Sequence, residues 1–111
     1  MNFEFKRDKY KDVRGAHSRL LNLYCWVCGN KIAIYQKDGS GSLMRIYMDR
    51  ILYPKKLTGL ESKPLDQIHI LQCPKCKEEL GVPYIYREEN RKAFRLYQDA
   101  LIKKIRKLKD D

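Results

Sequence analysis

The sequence contains no run of eighteen apolar residues, so no segment of it is long and apolar enough to cross a bilayer as a helix. The amino-terminal stretch MNFEFKRDKYKDVRG has basic residues but no apolar run behind them, and so lacks the pattern of a secretory signal. The expected compartment is the cytoplasm, where thiols stay reduced. Histidine is scarce, with two residues, and tryptophan scarcer, with one. Neither histidine has a neighbour that makes it a base: His17 stands directly beside Ser18, and a nucleophile pair needs its members brought together by the fold. His69 reads as a strand residue. Acidic residues are also in short supply, 14 against 24 lysines and arginines, for a formal charge of +10. No conjunction of nucleophile, base and open metal position appears, which makes an enzyme the least favoured class.

The excess charge is spread evenly. Residues 1–24, 25–86 and 87–111 carry net +3, +3 and +4. Such a surplus favours polyanionic partners. With 111 residues the chain is expected to form a single domain, small enough to benefit from a staple.

Cysteine supplies that staple. There are four, in two pairs: Cys25-Trp26-Val27-Cys28 and Cys73-Pro74-Lys75-Cys76. A spacing of two lets both sulfurs of a pair point at one ion while the backbone turns around it, and Gly29 eases the turn after the first pair. The pairs are read as a closed tetrahedral site for one structural zinc, with iron the lesser alternative. A closed site leaves no open position for water, so it holds the fold and does no chemistry. A disulfide is disfavoured by compartment. A thioredoxin-like pair would open a helix, whereas both pairs here stand between predicted strands. Trp26 is expected to shield the metal.

The flanking residues carry the strand signal. Leu20, Leu21, Leu23 and Tyr24 lead into Cys25, and Lys31-Ile32-Ala33-Ile34-Tyr35-Gln36 alternates away from Cys28. Gln67–Gln72 leads into Cys73, and Val82–Tyr86 follows Cys76, so the second half repeats the first. Residues 37–66 are an insertion that adds a strand or two. Within it, residues 43–52 fit both helix and strand periods, and Ile46, Tyr47 and Ile51 tip the reading to strand. Residues 1–19 read as an amino-terminal arm, with a short strand at Phe3–Phe5. Phe94, Tyr97, Leu101, Ile105 and Leu108 recur at spacings of three and four, which predicts an amphipathic helix over 87–109 capped by Asn90. The expected fold is thus a small, mostly-β (α+β) domain: two β-hairpin zinc knuckles in a β core over 20–86, an inserted strand region, and a carboxy-terminal amphipathic helix.

Cys25-x-x-Cys28-Gly29 and Cys73-Pro74-x-Cys76, each between strands, resemble the two knuckles of a zinc ribbon, as also seen in rubredoxin-like folds; the resemblance covers residues 20–86. Lys77 stands where that family often has glycine. The 44 residues between Cys28 and Cys73 are similar in spacing to the zinc-binding pairs of B-type methionine sulfoxide reductases and the related β-tent folds. Those reductases use a further catalytic cysteine, which these four do not supply.

Two functional classes follow. In the first, the protein associates with RNA or DNA. Arg45, Arg50, Lys55 and Lys56 are interleaved with Tyr47 and Tyr53, and Lys103, Lys104, Arg106 and Lys107 crowd the tail; cations for phosphates and rings for bases are what single-stranded nucleic acid requires. Zinc ribbons often serve in transcription, translation and RNA processing, which the resemblance implies. In the second class, the protein is an interaction or structural module, binding a protein partner or a second copy through the carboxy-terminal helix. No membrane partner is expected.

Overall fold

The structure is a computed structural model and describes residues 5–6, 18–39 and 41–107. The expected strand at Phe3–Phe5 and most of the amino-terminal arm lie outside the described residues, as do His17 and Leu108.

Among the described residues, eight strands form two antiparallel sheets. Sheet A has the order β4-β2-β1-β8 and sheet B the order β3-β7-β6-β5. β1 (Arg19–Cys25) and β2 (Lys31–Lys37) form the first hairpin and the centre of sheet A. β2 reads KIAIYQK and is buried from Ile32 to Gln36, because β1 and β4 flank it and both of its faces are covered. Gln36, fully buried, is satisfied in return: its Nε2 donates to the Lys6 carbonyl and to Asp38, and its Oε1 accepts from the Lys6 amide.

The ambiguous 43–52 segment resolves into a crossing between sheets. β3 (Arg45–Tyr47) pairs with sheet B, a single 3₁₀ turn at Met48–Arg50 follows, and β4 (Ile51–Tyr53) pairs with sheet A. The two periodicities of the sequence arise because one short piece is strand, turn and strand in succession. Three more 3₁₀ turns, Lys55–Leu57, Leu60–Ser62 and Leu65–Gln67, carry the chain on; Leu57, Leu60 and Leu65 pack against the core. The strand expected over Gln67–Gln72 is confined to β5 (Leu71–Gln72), and β6 (Glu79–Tyr86) follows the second cysteine pair.

The carboxy-terminal segment overturns the expectation of an α+β fold. Residues 87–107 contain no helix. Arg87–Asn90 form a tight turn, β7 (Arg91–Leu96) pairs with β6 and β3, and β8 (Leu101–Ile105) crosses to sheet A and pairs with β1. The regular structure among the described residues is strand and 3₁₀ turn, joined by turns and irregular segments. Asn90, read as a helix cap, instead takes φ +50° in the β6–β7 turn, a left-handed conformation that asparagine tolerates. The spacing of Phe94, Tyr97, Leu101 and Ile105 imitates a helical stripe by coincidence. Phe94 is in one sheet, Leu101 and Ile105 in the other, with a turn at Gln98–Asp99 between them. Unpaired edges of β1 and β6 had to find partners, and that tertiary demand outweighs a local period.

The core lies between the sheets. Leu21, Leu23, Tyr35 and Ile51 from sheet A meet Ile46, Leu71, Leu80 and Phe94 from sheet B, and Cys25 and Cys73 belong to the same buried cluster. The cysteine pairs therefore cap one end of the space between the sheets.

Candidate functional site

Each sheet contributes one knuckle, and the two are built alike. In each, the strand pairing slips just before the first cysteine, between Leu23 and Tyr24 in one case and between Leu71 and Gln72 in the other. Such a bulge re-aims the side chains that follow it. The Cys25 amide then donates to the Asn30 carbonyl (2.8 Å) and the Gly29 amide to the Cys25 carbonyl (2.9 Å). The Cys73 amide donates to the Glu78 carbonyl (2.9 Å) and the Lys77 amide to the Cys73 carbonyl (3.0 Å). The internal repeat read from the sequence is thus a repeat of hydrogen bonds as well as of residues.

These turns bring the four Sγ atoms of Cys25, Cys28, Cys73 and Cys76 within 4.8 Å of one another. Two approaches between knuckles, Cys25 to Cys76 and Cys28 to Cys73, are both 3.6 Å. That is far beyond the roughly 2 Å of a disulfide. It is near the ~3.8 Å edge of a tetrahedron whose corners stand about 2.3 Å from a central ion. The donor set therefore fits a metal ion such as zinc. Cys25 and Cys73 are buried, Cys76 is half-buried and Cys28 is exposed, so the cluster sits at the surface end of the core.

The electrostatics of the bare thiols point the same way. Burial pushes the Cys73 thiol up, but the backbone amides of Cys76 and Lys75 and the Cys28 thiol outweigh it and bring Cys73 down to about 6. For Cys76, the Glu78 amide favours the thiolate, yet burial and the sulfurs of Cys25, Cys73 and Cys28 oppose it and push it up to about 12. Sulfurs this close cannot all ionise alone. A divalent cation at their centre removes that conflict. Trp26, expected to shield the site, is instead 55% exposed on the knuckle surface.

The residues expected to meet nucleic acid divide into groups. Arg45 and Tyr47 lie on the face of sheet B opposite Ile46 and Phe94, because alternate residues of a strand face opposite ways. On that face Arg91, Tyr47, Tyr86 and Arg45 form a ladder of cations and rings. The Arg91 guanidinium lies 3.7 Å from the Tyr47 ring centre, Tyr47 meets Tyr86 edge-on with centres 6.0 Å apart, and Arg45 lies 4.0 Å over Tyr86. Arg45 Nε also donates to the Tyr84 hydroxyl (2.9 Å). Beside the ladder opens a cleft of about 670 Å³, lined by Arg45, Tyr84, Tyr86, Arg95 and Tyr97, with Asp99 the one acidic side chain among the described residues that line it.

Arg50 is elsewhere. It is 1% exposed and its Nε pairs with Asp38 at 2.7 Å, so it holds the core and presents nothing to a phosphate. Tyr53 and Lys56 line a second cavity, beside the 3₁₀ turns, and Lys55 lies exposed in the same stretch. Lys103 and Lys104 are exposed on β8, at the edge of sheet A, where Lys104 lies over Tyr24; Arg106 Nη1 reaches Asn22 (3.3 Å) and Lys107 follows it, exposed. Sequence reasoning missed Tyr84, Tyr86, Arg95 and Tyr97. Tyr84-x-Tyr86 on a strand puts both rings on one face, a signal present in the sequence; Arg95 and Tyr97 were hidden by the helical period.

Comparisons with protein-family models, with curated proteins and with solved structures found no match for the chain. Among the described residues no helix is long and apolar enough to cross a membrane.

Proposed function

We propose that this is a non-catalytic, zinc-stapled protein that binds single-stranded nucleic acid on the outer face of sheet B. The zinc is structural, one ion on Cys25, Cys28, Cys73 and Cys76, and it clamps the two sheets where their knuckles meet. The distances between sulfurs of opposite knuckles support zinc, and a reducing compartment such as the cytoplasm keeps the thiols available for it.

The cleft of Arg45, Tyr84, Tyr86, Arg95 and Tyr97 carries the nucleic-acid reading. Two guanidinium groups and three rings line one cleft, four of them from strands β3, β6 and β7 and Tyr97 from the residue after β7, within a chain of net charge +10. Rings there stack on bases of any sequence, and arginines meet the phosphates between them. The protein-interaction alternative relied on a carboxy-terminal helix, which the described residues 87–107 do not form, and lysines at 103 and 104 guard the edge strand found there instead.

The test is a fluorescence-anisotropy titration with labelled single-stranded and duplex RNA and DNA at two salt concentrations. A single-stranded probe should bind best, with log affinity falling against log salt by about 0.7 per phosphate contacted. Equal, weak binding of every probe that vanishes with salt would refute the reading.

A further inference from the structure

The cleft beside sheet B holds one group that binding a strand of any sequence leaves unexplained. Asp99 lines it together with two guanidinium groups and three rings. A carboxylate repels a phosphate, so Asp99 works against the backbone of a bound strand. Nor is it spent on a neighbouring arginine: among the described residues its side chain has no hydrogen bond or ion pair. Arg45, by contrast, is held by the Tyr84 hydroxyl and lies over the Tyr86 ring. The polar ends of Arg95 and Tyr97 are likewise without such a partner among the described residues, and all three residues are exposed.

The backbone that carries Asp99 is fixed. The Ala100 amide donates to the Tyr97 carbonyl (3.1 Å) and closes a tight turn, in which Asp99 takes φ +57°. Glycine adopts that conformation freely and aspartate tolerates it. Both ends of the turn are pinned. The Tyr97 amide donates to the Leu80 carbonyl (3.1 Å), and the Trp26 amide of the first knuckle donates to the Ala100 carbonyl (3.2 Å). Ala100 itself is buried in the core. The carboxyl group is thus carried on a frame tied to sheet B on one side and to a cysteine knuckle on the other, as a group that reads a ligand needs to be.

We propose that this cleft selects guanine at one position of the bound strand, with Asp99 accepting from the base while a tyrosine ring stacks on it and Arg95 meets a phosphate. This inference rests on the nucleic-acid reading of the same cleft. Rings and cations accept every base alike, so any choice among bases falls to the remaining polar group. A carboxylate accepts hydrogen bonds and gives none, and its two oxygens are matched by two donors side by side. Guanine has that pair on its Watson–Crick edge, in N1–H and the N2 amino group. Adenine and cytosine set an amino group beside a ring nitrogen that accepts, and uracil and thymine set one N–H between two carbonyls. Each of those edges turns an acceptor toward the carboxylate.

The test is an anisotropy titration of the zinc-loaded full chain with short labelled oligouridines and oligothymidines. Each carries at its centre one guanine, adenine, cytosine or hypoxanthine, or no replacement. The guanine strand should bind about tenfold or more tighter than the adenine, cytosine and unreplaced strands. Hypoxanthine, which keeps N1–H and lacks the N2 amino group, should lose most of that advantage without any change in the protein. Asp99→Asn keeps the side chain's shape and suits the turn, and should cut the guanine-to-adenine ratio to below about threefold. Damage to the fold would weaken every strand alike and leave the ratio in place. Strands that bind equally whatever the central base would overturn this inference and leave the nucleic-acid reading standing, whereas no binding by either series would overturn both. Hypoxanthine matching guanine, or a ratio untouched by Asp99→Asn, would remove Asp99 as the group that reads the base.

Discussion

Gly29 and Lys77 occupy the same place in the two knuckles, one residue past the second cysteine, with φ of +76° and +71°. Each amide donates to the carbonyl of its knuckle's first cysteine. Glycine adopts this left-handed conformation freely; lysine does so at a cost of about 1–2 kcal/mol. The turn that clamps a metal is therefore relaxed on one side and strained on the other. Lys77→Gly should raise stability by up to about 1 kcal/mol, part of the relieved strain being offset by the greater freedom of glycine in the unfolded chain. Gly29→Ala should lower it by about 1 kcal/mol through its backbone alone, since a Cβ there meets nothing within 4 Å. Denaturant unfolding of the two variants checks both signs.

Asp38 and Arg50 predict a larger effect. The pair is buried, with side-chain exposures of 8% and 1%, and Asp38 also accepts from Ser18 Oγ and Gln36 Nε2. Asp38→Ala leaves a guanidinium in the core without this partner and should cost about 3–5 kcal/mol. Replacing both residues with apolar side chains of similar volume should cost much less. A double-mutant cycle by thermal or denaturant unfolding separates the two outcomes.

The aromatic cleft predicts graded losses. Tyr84→Ala and Tyr97→Ala should each weaken binding of a single-stranded probe by about 1–3 kcal/mol, the range expected for one stacked base. Arg95→Ala should instead flatten the salt dependence by about 0.7 for each phosphate that the protein no longer neutralises. Anisotropy titrations across a salt series distinguish a missing ring from a missing charge.

Strand β8 predicts the shape of the circular dichroism. Far-ultraviolet spectra of the full chain should show a strand-type minimum without the double minimum of a helix. Hydrogen exchange should be faster at β8, an edge strand with Ile102 and Ile105 exposed, than at the buried β2.

The knuckles were legible in the sequence because their signal is local. Two cysteines, the turn after them and the alternating residues on either side all lie within a dozen positions. Strands β1, β2 and β6 read correctly for the same reason. The carboxy-terminal strands did not, because Phe94 and Leu101 take their roles from partners in different sheets, which the spacing between them does not encode. Arg50 misled in another way: its charge suggested the surface, and only the fold could supply Asp38. Of the cleft beside sheet B, Arg45 was picked out from the sequence, Tyr84 and Tyr86 were legible on β6 but passed over, and Arg95 and Tyr97 needed β7 to be a strand.

The most direct test is metal analysis of the purified chain alongside the variant Cys76→Ser. One zinc per chain is expected, with loss of near-ultraviolet dichroism on chelation and a markedly weakened site in the variant, since Cys25 and Cys76 bridge the two knuckles at 3.6 Å. Less than about half an equivalent of zinc, or a fold and a metal content indifferent to the loss of Cys76, would contradict the clamp between the sheets.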